Sequence, residues 1–318
     1  MSVTPGRDGM TKDAGIPEVI CIAGPTASGK TALAVEAALM LGGEVISADS
    51  MQIYRFMDIG TAKPTDEEKR GVPHHMLDFL DPSEEYSVAQ YVEDAKKIIA
   101  RVHAEGKVPV VAGGTGQYIS ALVDNLSFDQ TEADPALQAE LTEYAGKNGA
   151  HALHLMLRAE DPAAAEGIHE NNVKRVIRAL EMKRLTGLTL AERNAASRSK
   201  PVFAAYRVFG IKTDRPVLYD RIDRRVDVMM ESGLEHEAEA LFSRNPGRTA
   251  SQAIGYKEFL PYFNGEAGLD AVICEIKKNT RNYAKRQLTW FRRPGWVEWE
   301  DADGILSAIT AAAKLSRG

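Results

Sequence analysis

The octapeptide Gly24-Pro25-Thr26-Ala27-Ser28-Gly29-Lys30-Thr31 fits GxxxxGK[ST] without a mismatch. Small residues in such a loop let successive backbone N–H groups turn toward one anion, and a helix starting at its end adds partial positive charge. Lys30 is placed to meet the terminal phosphates, and the Thr31 hydroxyl can hold Mg²⁺. An apolar run, VICIA (19–23), precedes the loop and an Ala/Leu-rich run follows it. That context makes a chance glycine turn a remote alternative. The ligand is therefore a di- or triphosphate, of unspecified identity.

Asp49 follows the second apolar run, EVISA (44–48). In open α/β sheets ligands sit beyond the carboxyl ends of the strands, which is where this acid falls. Two roles compete for it: general base toward an incoming nucleophile, or cap of a following helix. Location favours the first. The loop beyond it, residues 50–64, is polar, and a solvated surface loop is the commoner meaning of such composition. His74-His75 lacks partner acids at metal-ligand spacing and reads as structural in preference to substrate-contacting. A motor ATPase or GTPase usually carries a strand ending in a Mg²⁺-binding Asp. Here the third apolar run ends in GGTG (113–116), and the nearest imitation, LDFLD (77–81), lies between Pro73 and Pro82. Small kinases and other transferases remain.

Residues 277–293 (KKNTRNYAKRQLTWFRR) hold seven basic residues and no acid, with Tyr283, Trp290 and Phe291 among them. Clustered cations with interleaved aromatics suit a phosphate backbone and unstacked bases. The plainer alternative is a helix with one solvated basic face and its aromatics in the core. A second segment, VKRVIRALEMKR (173–184), with five basic residues and one acid, tips the balance toward nucleic acid. Arg221 and Arg225 share a helix face at i,i+4 and could reach an anion at the sheet edge.

The elements needed to position these residues can be read in outline. Runs 19–23, 44–48 and 108–112 read as buried parallel strands, with helices over 31–41 and 86–105 between them. Residues 135–196 look helical only, between polar linkers at 124–135 and 197–201. Residues 206–212 read as a returning strand. Leu218, Ile222, Val226, Met229, Met230 and Leu234 recur as on one amphipathic helix. An edge strand at 296–299 and a helix over 305–315 close the chain. The fold class is α/β: a P-loop NTPase-like parallel sheet with flanking helices and an inserted small all-helical domain. Its parts are a disordered tail (1–16), a catalytic core (17–125 and 203–318) and a helical insertion (126–202).

Composition agrees. A chain of 318 residues, 44% hydrophobic and 26% charged, is long enough for a core and ordinary for a globular protein. A net charge of −6 excludes a uniformly basic nucleic-acid coat. The two cysteines, Cys21 and Cys274, form no zinc-ligand spacing and suit a reducing cytosol. No run of 18 apolar residues is present, so no membrane span is expected.

Seven segments then converge on one family: GPTASGKTALA (24–34), ISADSMQIYRFMDIGTAKP (46–64), VPHHMLDFLDP (72–82), AGGTGQYI (112–119), NNVKRVIRALE (171–181), QAIGYKE (252–258) and RNYAKRQLTWFRR (281–293). In this order they resemble the bacterial tRNA dimethylallyltransferase (IPP transferase) family, over about residues 19–299. The resemblance implies transfer of a dimethylallyl group from dimethylallyl diphosphate to N6 of the adenosine just 3′ of the anticodon, with loss of diphosphate. It implies catalytic roles for Asp49, as base, and for Thr26 and Arg225. It assigns the diphosphate to Gly24, Pro25, Thr26, Ala27, Ser28, Gly29, Lys30 and Thr31, with Mg²⁺ on Thr31. It assigns tRNA contacts to Asp49, Ser50, Met51, Gln52, Thr115, Lys174, Arg175, Val176, Ile177, Arg178, Gln252, Gly255, Lys257, Lys285 and Arg286. The partners are tRNA, through its anticodon stem-loop, and the allylic diphosphate. The enzyme is expected to be cytoplasmic, free of membrane and monomeric. Read from residues alone, a P-loop small-molecule or nucleoside kinase and a non-catalytic RNA-binding NTPase module stand as alternatives; the basic segments disfavour the first, and Asp49 with the missing Mg²⁺-binding strand end disfavours the second.

Overall fold

The computed structural model describes residues 18–126, 134–198, 201–293 and 295–317. The tail 1–16 and parts of both polar linkers lie outside them. The chain divides into two compact units, Met1–Leu122 with Val202–Gly318, and Val123–Pro201.

The first unit is built on a parallel sheet of six strands: β1 (Glu18–Ala23), β2 (Glu44–Ser47), β3 (His74–His75), β4 (Pro109–Gly113), β5 (Ala205–Ile211) and β6 (Val297–Glu300). Their order is β3-β2-β4-β1-β5-β6. β1, β2 and β4 are buried almost throughout, which is why they read as continuous apolar runs. β1 lies between β4 and β5, with Ala23 opposite both Gly113 and Gly210. The carboxyl ends of β1, β2 and β4 therefore lead into the phosphate loop, Asp49 and the GGTG turn along one sheet edge.

The helix Lys30–Leu41 packs Leu33, Ala34, Val35, Ala37 and Ala38 against the core, and ends where Gly42 takes a left-handed conformation. The helix Val88–Ala104 begins at a Ser87/Gln90 capping box and buries Tyr91, Val92, Ala95, Ile99 and Val102.

His74-His75, read as structural, forms the short edge strand β3, paired in register with Val45 and Ile46. One expectation needs correction. The amphipathic helix stops at Glu231 (Arg215–Glu231). Gly233 turns left-handed, and Leu234 opens a separate helix, Leu234–Ser243. The apolar spacing survives because both helices bury their stripes in one cluster, with Val226, Met229, Leu234 and Ala238 together.

The second unit is helical, with no strand among its described residues. Its helices are Pro135–Glu160, Pro162–Gly167, Val173–Thr186 and Leu190–Arg198. Gly149, at φ 87°, breaks the first into two segments. Leu141, Leu153, Leu157, Val176, Ile177 and Leu180 form its core. The lone acid of the second basic segment, Glu181, is fully buried; it accepts from Asp134 N and Gln138 Nε2 and pairs with Arg178. Its structural task accounts for an acid in that run.

Candidate active site

The phosphate loop crosses from β1 into the helix Lys30–Leu41, with Gly29 left-handed at φ 90°. Its shape is held from afar. Gln287, from the helix Leu269–Phe291, accepts from Thr26 N at 2.8 Å and donates to the Gly114 carbonyl at 2.9 Å. One amide thus ties the ends of β1 and β4. Backbones meet closely here: a Cβ at Gly113 would run into the Ala48 carbonyl, and one at Gly114 into the Gln287 amide.

The loop opens onto a cleft of about 380 Å³. Thr26, Lys30 and Thr31 line one side, Asp49 and Gln52 another, and Arg221 and Arg225 reach in from the helix Arg215–Glu231. Arg225 Nη2 donates to Thr26 Oγ1 at 2.5 Å, and its Nε is buried without a partner. Lys30 Nζ donates to the Pro25 carbonyl at 2.6 Å. Burial pushes Lys30 down to about 8; Asp49 opposes this and Arg225 adds to it. Burial also lowers Arg225, with Asp49 opposing. Cations crowded in this way, with donors unspent, make a receptor for a multiply charged anion.

Asp49 is half-buried. Its Oδ1 accepts from Met51 N at 2.9 Å, an Asx turn, and no helix begins there for it to cap. Oδ2 takes no hydrogen bond among the described residues. Thr115 links the two strand ends: its Oγ1 accepts from Ser50 N at 2.9 Å, and its own N–H donates to the Ala48 carbonyl. Gln52 turns away from solvent, donating to the carbonyls of Thr61 and Ala62 at 3.1 Å, and so fixes a second wall of the cleft.

The other expected site residues divide. Lys285 and Arg286 are exposed, as are Arg292 and Arg293. The remaining cations of that run are already matched: Lys277 pairs with Asp227, Lys278 with Glu275 and Arg281 with Asp223. In the helical unit Lys174 and Arg175 are exposed, whereas Val176 and Ile177 are core residues whose side chains cannot reach a ligand. Gln252 is exposed; Gly255 is buried, with Gly60 beside it. In the LDFLD segment, Asp78 pairs with Lys63. Gln287 was not legible as a site residue. A recess of about 440 Å³ in the helical unit, lined by His151, His154 and His169 with Arg158 and Glu166, has neither the phosphate loop nor the convergent lysine and arginines of the cleft.

A parallel sheet carrying a phosphate loop at the end of its central strand, with an acid beside it, defines a P-loop NTPase-like transferase core. The model of the family described as IPP transferase matches residues 52–294. A tRNA dimethylallyltransferase of Acetivibrio thermocellus is 49% identical over 287 residues, 90% of this chain and 92% of that protein. The crystal structure of a full-length tRNA isopentenylpyrophosphate transferase from Bacillus halodurans superposes with a TM-score of 0.68 at 42% identity, covering 95% of this chain and 99% of that one. A eukaryotic dimethylallyltransferase acting on tRNA gives a TM-score of 0.77 at 30% identity, over 90% and 74% of the two chains. The chain belongs to the IPP transferase family.

Proposed function

We propose that this chain is a tRNA dimethylallyltransferase. It moves the dimethylallyl group from dimethylallyl diphosphate to N6 of the adenosine 3′-adjacent to the anticodon and releases diphosphate. The observation that carries this reading is the shared cleft: Asp49, with Oδ2 uncommitted, lines the same space as Lys30, Thr31 and Arg225.

The chemistry follows from that arrangement. N6 attacks the allylic carbon bonded to oxygen. The carbon–oxygen bond breaks, and its electrons leave on the diphosphate. Lys30, Arg221, Arg225 and the loop N–H groups stabilise the departing charge. Asp49 takes the N6 proton, which offsets the poor nucleophilicity of an amine conjugated with its ring. Thr31 makes no hydrogen bond through its hydroxyl among the described residues, and with diphosphate oxygens it offers the hard donors Mg²⁺ prefers. Bound there, Mg²⁺ would add to neutralisation of the leaving group.

The target adenine must leave its stack to enter the cleft, at a cost of a few kcal/mol. Exposed Lys285, Arg286, Lys174 and Arg175 supply sequence-independent attraction for the anticodon stem-loop that offsets it. We take the working unit to be a cytoplasmic monomer. No helix among the described residues is long and apolar enough to cross a membrane.

The deciding experiment is mass spectrometry of tRNA nucleosides after incubation with donor and Mg²⁺. Dimethylallylated adenosine is the expected product. Steady ATP consumption with a small alcohol acceptor, and unmodified tRNA, would replace this reading with a kinase.

A further inference from the structure

Phe56 has an unusual backbone and an unusual neighbour. Eight described residues other than glycine have positive φ, and Phe56, at 65°, is the one aromatic among them. A bulky residue in that region is a genuine outlier, and such strain concentrates where function holds it. Tyr54 and Met57, on either side of the pair Arg55-Phe56, are fully buried, so the core fixes the segment while Phe56 itself is 44% exposed. A single exposed apolar side chain means little by itself. Here a guanidinium covers the ring: Arg244 Cζ lies 4.0 Å from its centroid. Arg55, next in the chain, is also exposed, its Nε at the limit of a hydrogen bond to the Asp78 carbonyl at 3.5 Å.

Acids stand near these cations as well. Asp58 and Asp78 are both engaged by Lys63. Asp81 attracts both Arg244 and Arg55, and its carboxylate also accepts from the hydroxyl and N–H of Ser83, so what marks the site is the exposed ring with a guanidinium on it and not a surplus of charge. The result is an aromatic face, a guanidinium plane and a second guanidinium, all solvent-facing. Unpaired bases on a phosphate strand are met by this chemistry: π-faces stack, and cations hold the backbone. Phe56 follows Asp49 by seven residues, so it lies within about 25 Å of it, in reach of the same RNA loop.

We propose that Phe56, backed by Arg244, is a stacking platform for one unpaired base of the acceptor RNA, other than the base that is modified. This rests on the reading of the chain as a tRNA-modifying enzyme. Phe56→Gly separates a platform from a structural role, because glycine takes positive φ without strain. The variant should melt at the same temperature as the parent or higher, and should bind dimethylallyl diphosphate unchanged. Its affinity for an anticodon stem-loop RNA should fall by about tenfold, while Phe56→Trp should retain affinity. With the parent protein, abasic substitution at one loop position should weaken binding by the same factor, and with Phe56→Gly that position should become neutral, the signature of a direct pair. Undiminished RNA affinity in Phe56→Gly, or equal sensitivity of both proteins to every abasic position, would overturn the platform. If the parent protein binds donor but no RNA, the tRNA reading itself fails, and the platform with it.

Discussion

The Tyr256 hydroxyl donates to Glu237 Oε1 at 2.6 Å, while the same carboxylate accepts the backbone N–H groups of Asp58, Ile59 and Gly60 at 2.8–2.9 Å. Four donors on one acid pin the segment that continues into Thr61 and Ala62, the wall of the cleft held by Gln52. Burial pushes the Tyr256 hydroxyl up, so it stays a donor. Glu237→Ala strands three backbone donors and should cost about 3 kcal/mol, and Tyr256→Phe about 1 kcal/mol. Urea unfolding of the two variants and their double should show coupling, since both act on one carboxylate.

Asp49→Asn keeps shape and removes the base. Turnover should fall by about two to four decades, while RNA affinity changes much less. Single-turnover kinetics at saturating tRNA measures the first and filter retention the second. Near-normal turnover would reduce Asp49 to its Asx turn with Met51.

Lys30 gives a pH signature. Its folded value is lowered from 10.5 to about 8. Between those values the unfolded chain holds a proton that the free folded protein lacks, so this group's contribution to stability rises with pH there. Donor affinity runs the other way, because the diphosphate wants the ammonium. Calorimetry should show affinity falling about tenfold per pH unit above about 8. Lys30→Arg should flatten the profile.

The two classes of cation in the helix Leu269–Phe291 should behave differently. Neutralising Lys285 and Arg286, which have no acid partner among the described residues, should lower the salt slope of tRNA binding by about 0.9 per lost phosphate contact. Neutralising Lys277 or Arg281 should leave the slope alone, because Asp227 and Asp223 already hold them. Equal effects from both pairs would mean that those ion pairs open on binding.

The helical unit leaves and re-enters at adjacent points: Asn125 Nδ2 donates to the Pro201 carbonyl at 2.8 Å. A short Gly/Ser linker in place of residues 126–200 should leave a folded protein that binds the diphosphate donor. Its tRNA affinity should drop severely, with the loss of Lys174 and Arg175. Retained tRNA affinity with lost donor binding would assign the segment to the catalytic core.

Legibility in the sequence followed the range of the interaction. β1, β2 and β4 were readable because burial on both faces leaves an apolar run. β3 was not, since two histidines at an edge carry no such pattern; His75 is held by Glu44 at 2.6 Å, a partner 31 residues away. The phosphate loop is local and was complete in eight letters. Gln287 was hidden because its partners, Gly114 and Thr26, stand 173 and 261 residues back. An uncharged amide in a basic run gives no compositional cue. Three of the seven cations in residues 277–293 have partners outside the run: Asp223 and Asp227 lie on another helix, and Glu275 just precedes the run on the same one.

Gly113 and Gly114 limit how far the cleft can be altered. Both are hemmed by neighbours that are themselves needed, the Ala48 carbonyl leading to Asp49 and the Gln287 amide gripping the phosphate loop. At Gly113 the obstacle is backbone, and at Gly114 it is the tip of the Gln287 side chain, which can swing aside only by releasing the phosphate loop. A side chain at either glycine is therefore expected to disturb the cleft, whereas arginine for the exposed Lys285 keeps the charge and meets no such obstacle.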